Sequence, residues 1–352
     1  MEQKKALIGM SGGVDSSVAA FLMLENGYSC DGRTMKLHDL GCGGNRDVLD
    51  AQAVAQRLGI GHFVLECQEA FEKSVISKFV TSYESGLTPN PCIDCNRRLK
   101  FGAMLEKALE LGYDYVVSGH YAQIRREENS GRYLLYKAAD KTKDQTYFLA
   151  CLDQHQLAHI RFPLGGLTKT EVRRIAEENG FLNARKRDSQ DICFVPGGDY
   201  AVFLEQYTGK HYAPGDYLDL NGNVVGKHKG APCYPIGQRQ GLGIALGAPV
   251  YVCWKDMQAN TVTVGPNEAL FSSALRAKDW NWFPFPALTQ PLKVTAKTRH
   301  SQFEQAATVY PEENGFARVE FDSPQRAVTP GQAVVLYQDD LVIGGGTITQ
   351  AL

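Results

Sequence analysis

The stretch that most constrains this chain is Ser11-Gly12-Gly13-Val14-Asp15-Ser16-Ser17, directly after the apolar run Ala6-Leu7-Ile8-Gly9-Met10. A short apolar run reads as a buried strand, and two adjacent glycines let the backbone turn sharply out of it. Residues Ser17 to Glu25 have helix-forming composition and stop at Asn26-Gly27, a C-terminal signal. The stretch is therefore a loop between strand and helix, with backbone N–H groups at the positive helix end. A phosphate or pyrophosphate fits there. Ser11, Ser16 and Ser17 add hydroxyl donors, and Asp15 is placed to hold a magnesium ion or position the ligand. No Gly-Lys-Ser/Thr follows, so this is not a Walker A loop, and it is not a dinucleotide G-x-G-x-x-G fingerprint. An ordinary glycine turn of an α/β protein is the competing reading.

Strand and helix signals alternate after this loop. Strands are expected over Tyr28 to Leu37, His62 to Glu66 and Tyr113 to Ser118, with helices from Asp47 and over Ala70 to Tyr83. Such alternation means a doubly wound parallel sheet with its ligand at the C-terminal strand ends, where the glycine loop lies. Thr168 and Glu171 form a capping box that opens a further helix. From Pro214 the character changes to short apolar runs between turn signals, Asn221-Gly222 being a strong hairpin turn. The fold class expected is α/β, followed by two small β-barrel-like domains. The boundaries expected are 1–205, 206–270 and 271–352.

The segment Thr88-Pro89-Asn90-Pro91-Cys92-Ile93-Asp94-Cys95-Asn96-Arg97-Arg98 reads as a proline-punctuated loop entering a helix from Leu99. Cys95 would stand near that helix's N-terminus with two arginines behind it, an environment that favours a reactive thiolate. A structural zinc would need two further ligands, and no second C-x-x-C exists. A redox pair and a plain buried pair also compete. Cys193 lies in Asp188 to Val195, a short expected strand, where a buried strand cysteine is the alternative. Cys30, Cys67, Cys151 and Cys253 sit in apolar contexts and read as small core residues. Nine cysteines, an odd count, and no signal-peptide pattern argue for a reducing compartment. The expected location is cytoplasmic, and no apolar run is long enough to span a membrane. Net charge of −2 speaks against nonspecific coating of nucleic acid, while clusters such as Arg97-Arg98 and Arg185-Lys186-Arg187 read singly as solvated surface.

The segments SGGVDSS, Met35-Lys36, TPNPCIDCNRRLKFG, SGHYA, KDQTYFL, DSQDICFV, GKHKGAPCYPIGQRQGLGI, TRH and PGQAVVLY follow one another nearly end to end. In that order the chain resembles the bacterial tRNA-specific 2-thiouridylases, within the PP-loop ATP pyrophosphatases. The resemblance implies ATP-dependent 2-thiolation of the wobble uridine, position 34, in the tRNAs for Lys, Glu and Gln. ATP adenylates the C2 oxygen, and sulfur delivered as a persulfide replaces AMP. By resemblance Cys193 carries the persulfide and Cys95 is the nucleophile, the two ending as a disulfide that a reductant resets. Gly9, Met10, Ser11, Gly12, Gly13, Val14, Asp15 and Ser16 match the ATP phosphate loop, and Met35 and Gly119 match adenosine contacts. Asn90, Pro91 and Cys92 match the segment facing the target base. His120, Lys143, Asp144, Gln145, Arg299, His300 and Gln332 match tRNA-contacting positions. The partners implied are tRNA and a sulfur donor, a cysteine desulfurase or sulfur-relay protein; the cofactors are ATP and Mg²⁺. Cys92 stands where some members have Asp. This leaves open an iron–sulfur cluster on Cys92, Cys95 and Cys193. Another adenylating PP-loop enzyme is the remaining alternative.

Overall fold

The computed structural model describes residues 3–38, 44–186 and 192–352. Strands β1 (Lys5–Gly9), β2 (Ser29–Lys36), β3 (Gly61–Glu66) and β4 (Tyr115–Val117) come first. A hairpin of β5 (Ala122–Arg126) and β6 (Tyr133–Lys137) follows, then β7 (Ile160–Arg161). β1 to β4 and β7 form a parallel sheet in the order β3-β2-β1-β4-β7. The chain leaves β1 toward β2 on one side and reaches β4 on the other, so the order reverses at β1. Crevices at such reversals are where α/β sheets bind ligands.

The apolar run that begins the sheet is buried on both faces. Ala6 and Ile8 pack with α1 (Val14–Glu25), α2 (Asn45–Leu58) and the helix Lys169–Glu178. Leu7 points the other way, onto Phe101, Met104 and Leu105 of the helical stretch over residues 91–110. Helices on both faces make the sheet doubly wound, as expected. Thr168 and Glu171 form the expected capping box at the start of the helix Lys169–Glu178.

Three local expectations change. The helix expected from Leu99 begins at Pro91, because Asn90 caps it through the Cys92 N–H (3.2 Å) and Pro91 occupies a first-turn position that needs no donor. Its middle, Asn96–Ala103, is a π-helical segment. The strand expected over Asp188 to Val195 is a turn at residues 193–195 leading to a single 3₁₀ turn, Pro196–Gly198. Residues 188–191 of that expectation, and Cys42, lie outside the described residues.

The rest of the chain is β-rich. β8 (Gly215–Leu218), β9 (Val224–His228), β10 (Tyr251–Asp256) and β11 (Thr261–Gly265) form a sheet in the order β10-β11-β8-β9. The hairpin turn at Asn221-Gly222 connects antiparallel β8 and β9, with Gly222 at φ +86°. Six further strands are β12 (Phe271–Trp282), β13 (Leu292–Lys297), β14 (Gln305–Pro311), β15 (Ala317–Arg326), β16 (Ala333–Gln338) and β17 (Leu341–Ala351). They run in the order β12-β15-β14-β13-β16-β17, and pairing of β12 with β17 closes the barrel.

This barrel is welded to the first domain. The β5–β6 hairpin joins its sheet through Tyr136 opposite Leu341 of β17. Arg132, in the hairpin turn, donates to the carbonyls of Phe283 (2.6 Å) and Trp282 (2.9 Å). Asn281 donates back to the Ala150 and Leu152 carbonyls, at 2.9 and 2.8 Å. One apolar core runs from Leu7 and Phe101 through Tyr147 to Phe283, Val335 and Tyr337 of the barrel.

Candidate active site

The glycine loop leaves β1 at Gly9 and enters α1 at Val14, with Gly13 as a helix cap that has no side-chain partner. Gly12 adopts φ +69°, and a Cβ there would stand 2.5 Å from the Asp47 carbonyl oxygen. Only glycine fits that turn. Gly119, just beyond β4, approaches α1 as closely: a Cβ on it would lie 2.6 Å from the Asp15 carbonyl carbon and 2.7 Å from the Ser16 nitrogen. Gly9 to Ser16 and Gly119 are thus brought together at the point where the strand order reverses.

The hydroxyls divide their work. Ser16 and Ser17 turn back to donate to the Gly13 carbonyl, at 3.0 and 3.1 Å, while Ser11 remains exposed. Asp15 receives the Lys169 ammonium on both carboxylate oxygens (2.7 and 2.8 Å) and the Tyr121 hydroxyl on one (2.8 Å). Behind the loop, Lys186 reaches the Gly12 carbonyl (3.2 Å), Asp47 (2.9 Å) and Asp50 (2.7 Å). Asn183 donates to the same Gly12 carbonyl (3.1 Å) and to Ser17 (2.9 Å). Lys186, which looked like solvated surface in its basic cluster, is a strut of the phosphate loop. Its neighbours in sequence gave no sign of this, because Asp47 and Asp50 are far away along the chain.

Met35, at the end of β2, borders two cores, that of the barrel-facing helix and a second one. The second core contains Cys95, buried, and Cys193, half-buried beside Phe194. Phe194 is ringed edge-on by Phe71 and Phe79. The two thiols, far apart in sequence, thus share one apolar cluster next to Met35. Cys92 is exposed, at the start of the same helix. Arg97 and Arg98 are exposed, one turn beyond the buried Cys95. Asp94 is buried and paired with Lys78 at 2.7 Å. Among the described residues no group of three His, Cys, Asp or Glu side chains could hold a metal ion. Cys30, Cys67, Cys151 and Cys253 have thiol pKa values raised chiefly by burial, that of Cys151 to about 12, as fits inert core cysteines.

Among the residues expected at the RNA, His120 accepts or donates through Nδ1 to Ser118 (2.7 Å) and packs between Phe101 and Phe162. Burial, with Lys100 nearby, lowers its pKa well below the ordinary histidine value. Asp144 and Gln145 point inward. Asp144 accepts from the Ala138 N–H (3.0 Å), and Gln145 accepts from the Tyr121 N–H (2.9 Å). Burial raises the Asp144 pKa. Lys143 stands in the turn before them. His300 is exposed and lies over Phe148, ring centroids 4.3 Å apart. Arg299 reaches the Ile236 and Ala327 carbonyls, each at 3.2 Å, and Thr329 Oγ1 at 2.7 Å, clasping the middle sheet to the barrel. Gln332 donates to the carbonyls of Thr88 (2.9 Å) and Pro89 (3.4 Å), in the loop that precedes Asn90, Pro91 and Cys92. Arg299 and Gln332 thus hold protein groups in this structure, a use that no local pattern reveals.

Three domain families match the chain: the tRNA methyl transferase HUP domain over residues 4–197, the tRNA methyl transferase PRC-barrel domain over 201–266, and the aminomethyltransferase beta-barrel domain over 272–348. A curated relative in Acetivibrio thermocellus is 50% identical over 358 residues, covering 99% of this chain and all of the relative. One in Symbiobacterium thermophilum is 48% identical, covering 99% of this chain and 93% of the relative. One in Halothermothrix orenii is 46% identical, covering 98% and 99%. All three relatives are named tRNA-specific 2-thiouridylase MnmA.

Proposed function

This chain belongs to the tRNA-specific 2-thiouridylase family, PP-loop enzymes that use ATP to put sulfur into tRNA, and from that premise we propose how its residues divide the reaction. The glycine loop, Gly9 to Ser16, takes the ATP phosphates against backbone N–H groups at the start of α1, with Gly119 closing one side and Met35 beside the adenosine. A magnesium ion entering with the nucleotide would be held on the protein side by Asp15, the acidic side chain of the loop, and would offset phosphate charge. The uridine at position 34 of tRNA Lys, Glu or Gln is splayed from its stack to meet Asn90, Pro91 and Cys92, since chemistry on a stacked base is sterically blocked. Its C2 oxygen attacks the α-phosphorus of ATP, and pyrophosphate leaves.

Sulfur arrives as a persulfide on Cys193 from an external sulfur donor. The Cys95 thiolate attacks the inner sulfur of that persulfide, forming a Cys95–Cys193 disulfide and expelling hydrosulfide. Hydrosulfide adds at C2, AMP departs, and 2-thiouridine remains. A dithiol reductant then returns two electrons to the disulfide. Both thiols lie in an aromatic cluster that limits water, which competes with hydrosulfide for the activated base. That sharing of one cluster by Cys95 and Cys193 is the observation that carries this reading.

The test is an anaerobic assay with unmodified tRNA-Glu, ATP, magnesium and a persulfide-generating desulfurase. It reads 2-thiouridine by mass spectrometry and pyrophosphate by a coupled assay. Cys95→Ser and Cys193→Ser should each abolish 2-thiouridine while tRNA-dependent pyrophosphate release persists. Undiminished thiolation in either variant sinks the relay.

A further inference from the structure

The loop that leads into the helix bearing Cys92 and Cys95 is not held by its own domain alone. Residues Leu87 to Pro89 run across the turn Pro330-Gly331-Gln332 that leads into β16 of the C-terminal barrel. The Thr88 N–H donates to the Pro330 carbonyl at 3.0 Å. The Gln332 carboxamide donates to the Thr88 carbonyl at 2.9 Å and to the Pro89 carbonyl at 3.4 Å. Gly331 lets the two backbones touch: it has φ +92°, and a Cβ would stand 2.9 Å from the Thr88 nitrogen and 3.0 Å from the Leu87 Cβ. A side chain there would push the loop away.

The turn is itself firmly anchored. The Gly331 N–H reaches the Ile348 carbonyl (2.9 Å), and the Ile348 N–H returns to the Gln332 carbonyl (2.8 Å), fixing the turn to β17. Thr329, just before it, accepts the Arg299 guanidinium at 2.7 Å. Just after it, the Ala333 carbonyl accepts the Tyr147 hydroxyl at 2.9 Å. Pro89 and Pro91 remove two N–H groups from the thiol loop. The Leu87 N–H still bonds back to the Ser82 carbonyl at 2.9 Å, so the contacts at Thr88 and Pro89 are the ones that the barrel supplies.

We propose that Gln332 is a positioning residue for sulfur transfer, holding the start of the Cys92–Cys95 helix in register from the barrel through Thr88 and Pro89. This rests on the assignment of Cys95 to the sulfur-transfer step. Gln332 acts on the reacting thiol through the loop and is not itself a catalytic group. A shift of about an ångström in a reacting group can cost up to roughly a hundredfold in rate.

The decisive variant is Gln332→Glu, which keeps the size and removes both N–H donors; Gln332→Ala is its partner. Two readouts are taken on the full-length protein: hydrogen exchange of peptides spanning residues 85–99 without tRNA, and steady-state 2-thiouridine formation. Both variants should speed exchange in residues 85–99 selectively and lower kcat for thiolation about tenfold, with KM for tRNA and tRNA-dependent pyrophosphate release unchanged. Unchanged exchange, with KM for tRNA raised and kcat intact, would instead make Gln332 an RNA contact and overturn the proposal. Exchange raised across the whole chain would do the same, since it would mean general destabilisation. If the wild-type protein makes no 2-thiouridine, the assignment of Cys95 fails, while the exchange result still decides whether Gln332 holds the loop.

Discussion

The two reactive loops of this protein are made of similar material, a turn of glycine or proline entering a helix, yet they are held in opposite ways. The phosphate loop is braced from within its own domain: Lys186 and Asn183 grip the Gly12 carbonyl, Gly119 abuts Asp15 and Ser16, and Lys169 and Tyr121 hold Asp15. The thiol loop is braced from the far end of the chain, by Pro330 and Gln332 of the barrel. The nucleotide site is braced by contacts within the first domain, whereas the loop leading to Cys92 and Cys95 also takes contacts from the barrel.

The comparison can be broken at either loop. The largest effect is expected from Gly12→Ala, which places a methyl group 2.5 Å from the Asp47 carbonyl oxygen at a positive φ. ATP affinity should fall by roughly a hundredfold, about 3 kcal/mol, in titration calorimetry. Undiminished ATP binding by this variant would show that the loop has room for a side chain at Gly12. Arg132→Ala attacks the other side by leaving the Phe283 and Trp282 carbonyls without their donor at the hairpin–barrel junction. Thiolation kcat should drop about fivefold, roughly 1 kcal/mol, with the KM for ATP unchanged. An equal rise in the KM for ATP would dissolve the contrast between the two loops.

The smallest effect concerns pH and lies at His120, next to Gly119. Burial, with Lys100 nearby, keeps this imidazole neutral in the folded protein. Above about pH 6.5 the folded and unfolded chains both carry it neutral, and stability is unaffected. As pH falls below that value the unfolded chain takes up a proton that the folded chain refuses. Stability is then lost progressively until the lowered folded pKa is reached. His62 and His228 are lowered by burial as well, so one variant removes only part of the acid sensitivity. His120→Gln should shrink the fall in Tm between about pH 7.5 and pH 5.5 by about 2 °C in calorimetry. An undiminished fall would place the acid sensitivity elsewhere.

The sequence by itself determined those parts whose physics is local. The run Ala6 to Met10 is apolar on both faces and could only be a central strand; Gly12 stands where a side chain cannot. Thr168 and Glu171 cap a helix through bonds three residues apart. Asn221-Gly222 makes its hairpin wherever it is placed. The doubly wound sheet, the phosphate loop at its reversal point and the β-rich remainder were legible for this reason. The tertiary structure decided whatever depends on groups distant along the chain. Asn90 and Pro91 are adjacent letters, yet the prolines read as loop, and the helix starts at Pro91 because Asn90 takes up the Cys92 N–H. Lys186 could be recognised as a strut only once α2 carried Asp47 and Asp50 to it. Cys95 and Cys193 meet in one cluster because the helices and the turn at Cys193 fold around Phe71, Phe79 and Phe194. The grip of Gln332 on Thr88 exists only because closure of the barrel and its weld to the β5–β6 hairpin bring the two ends of the chain together. A side chain's chemistry is written in its own letter; its partner is set by packing that no neighbouring letters encode.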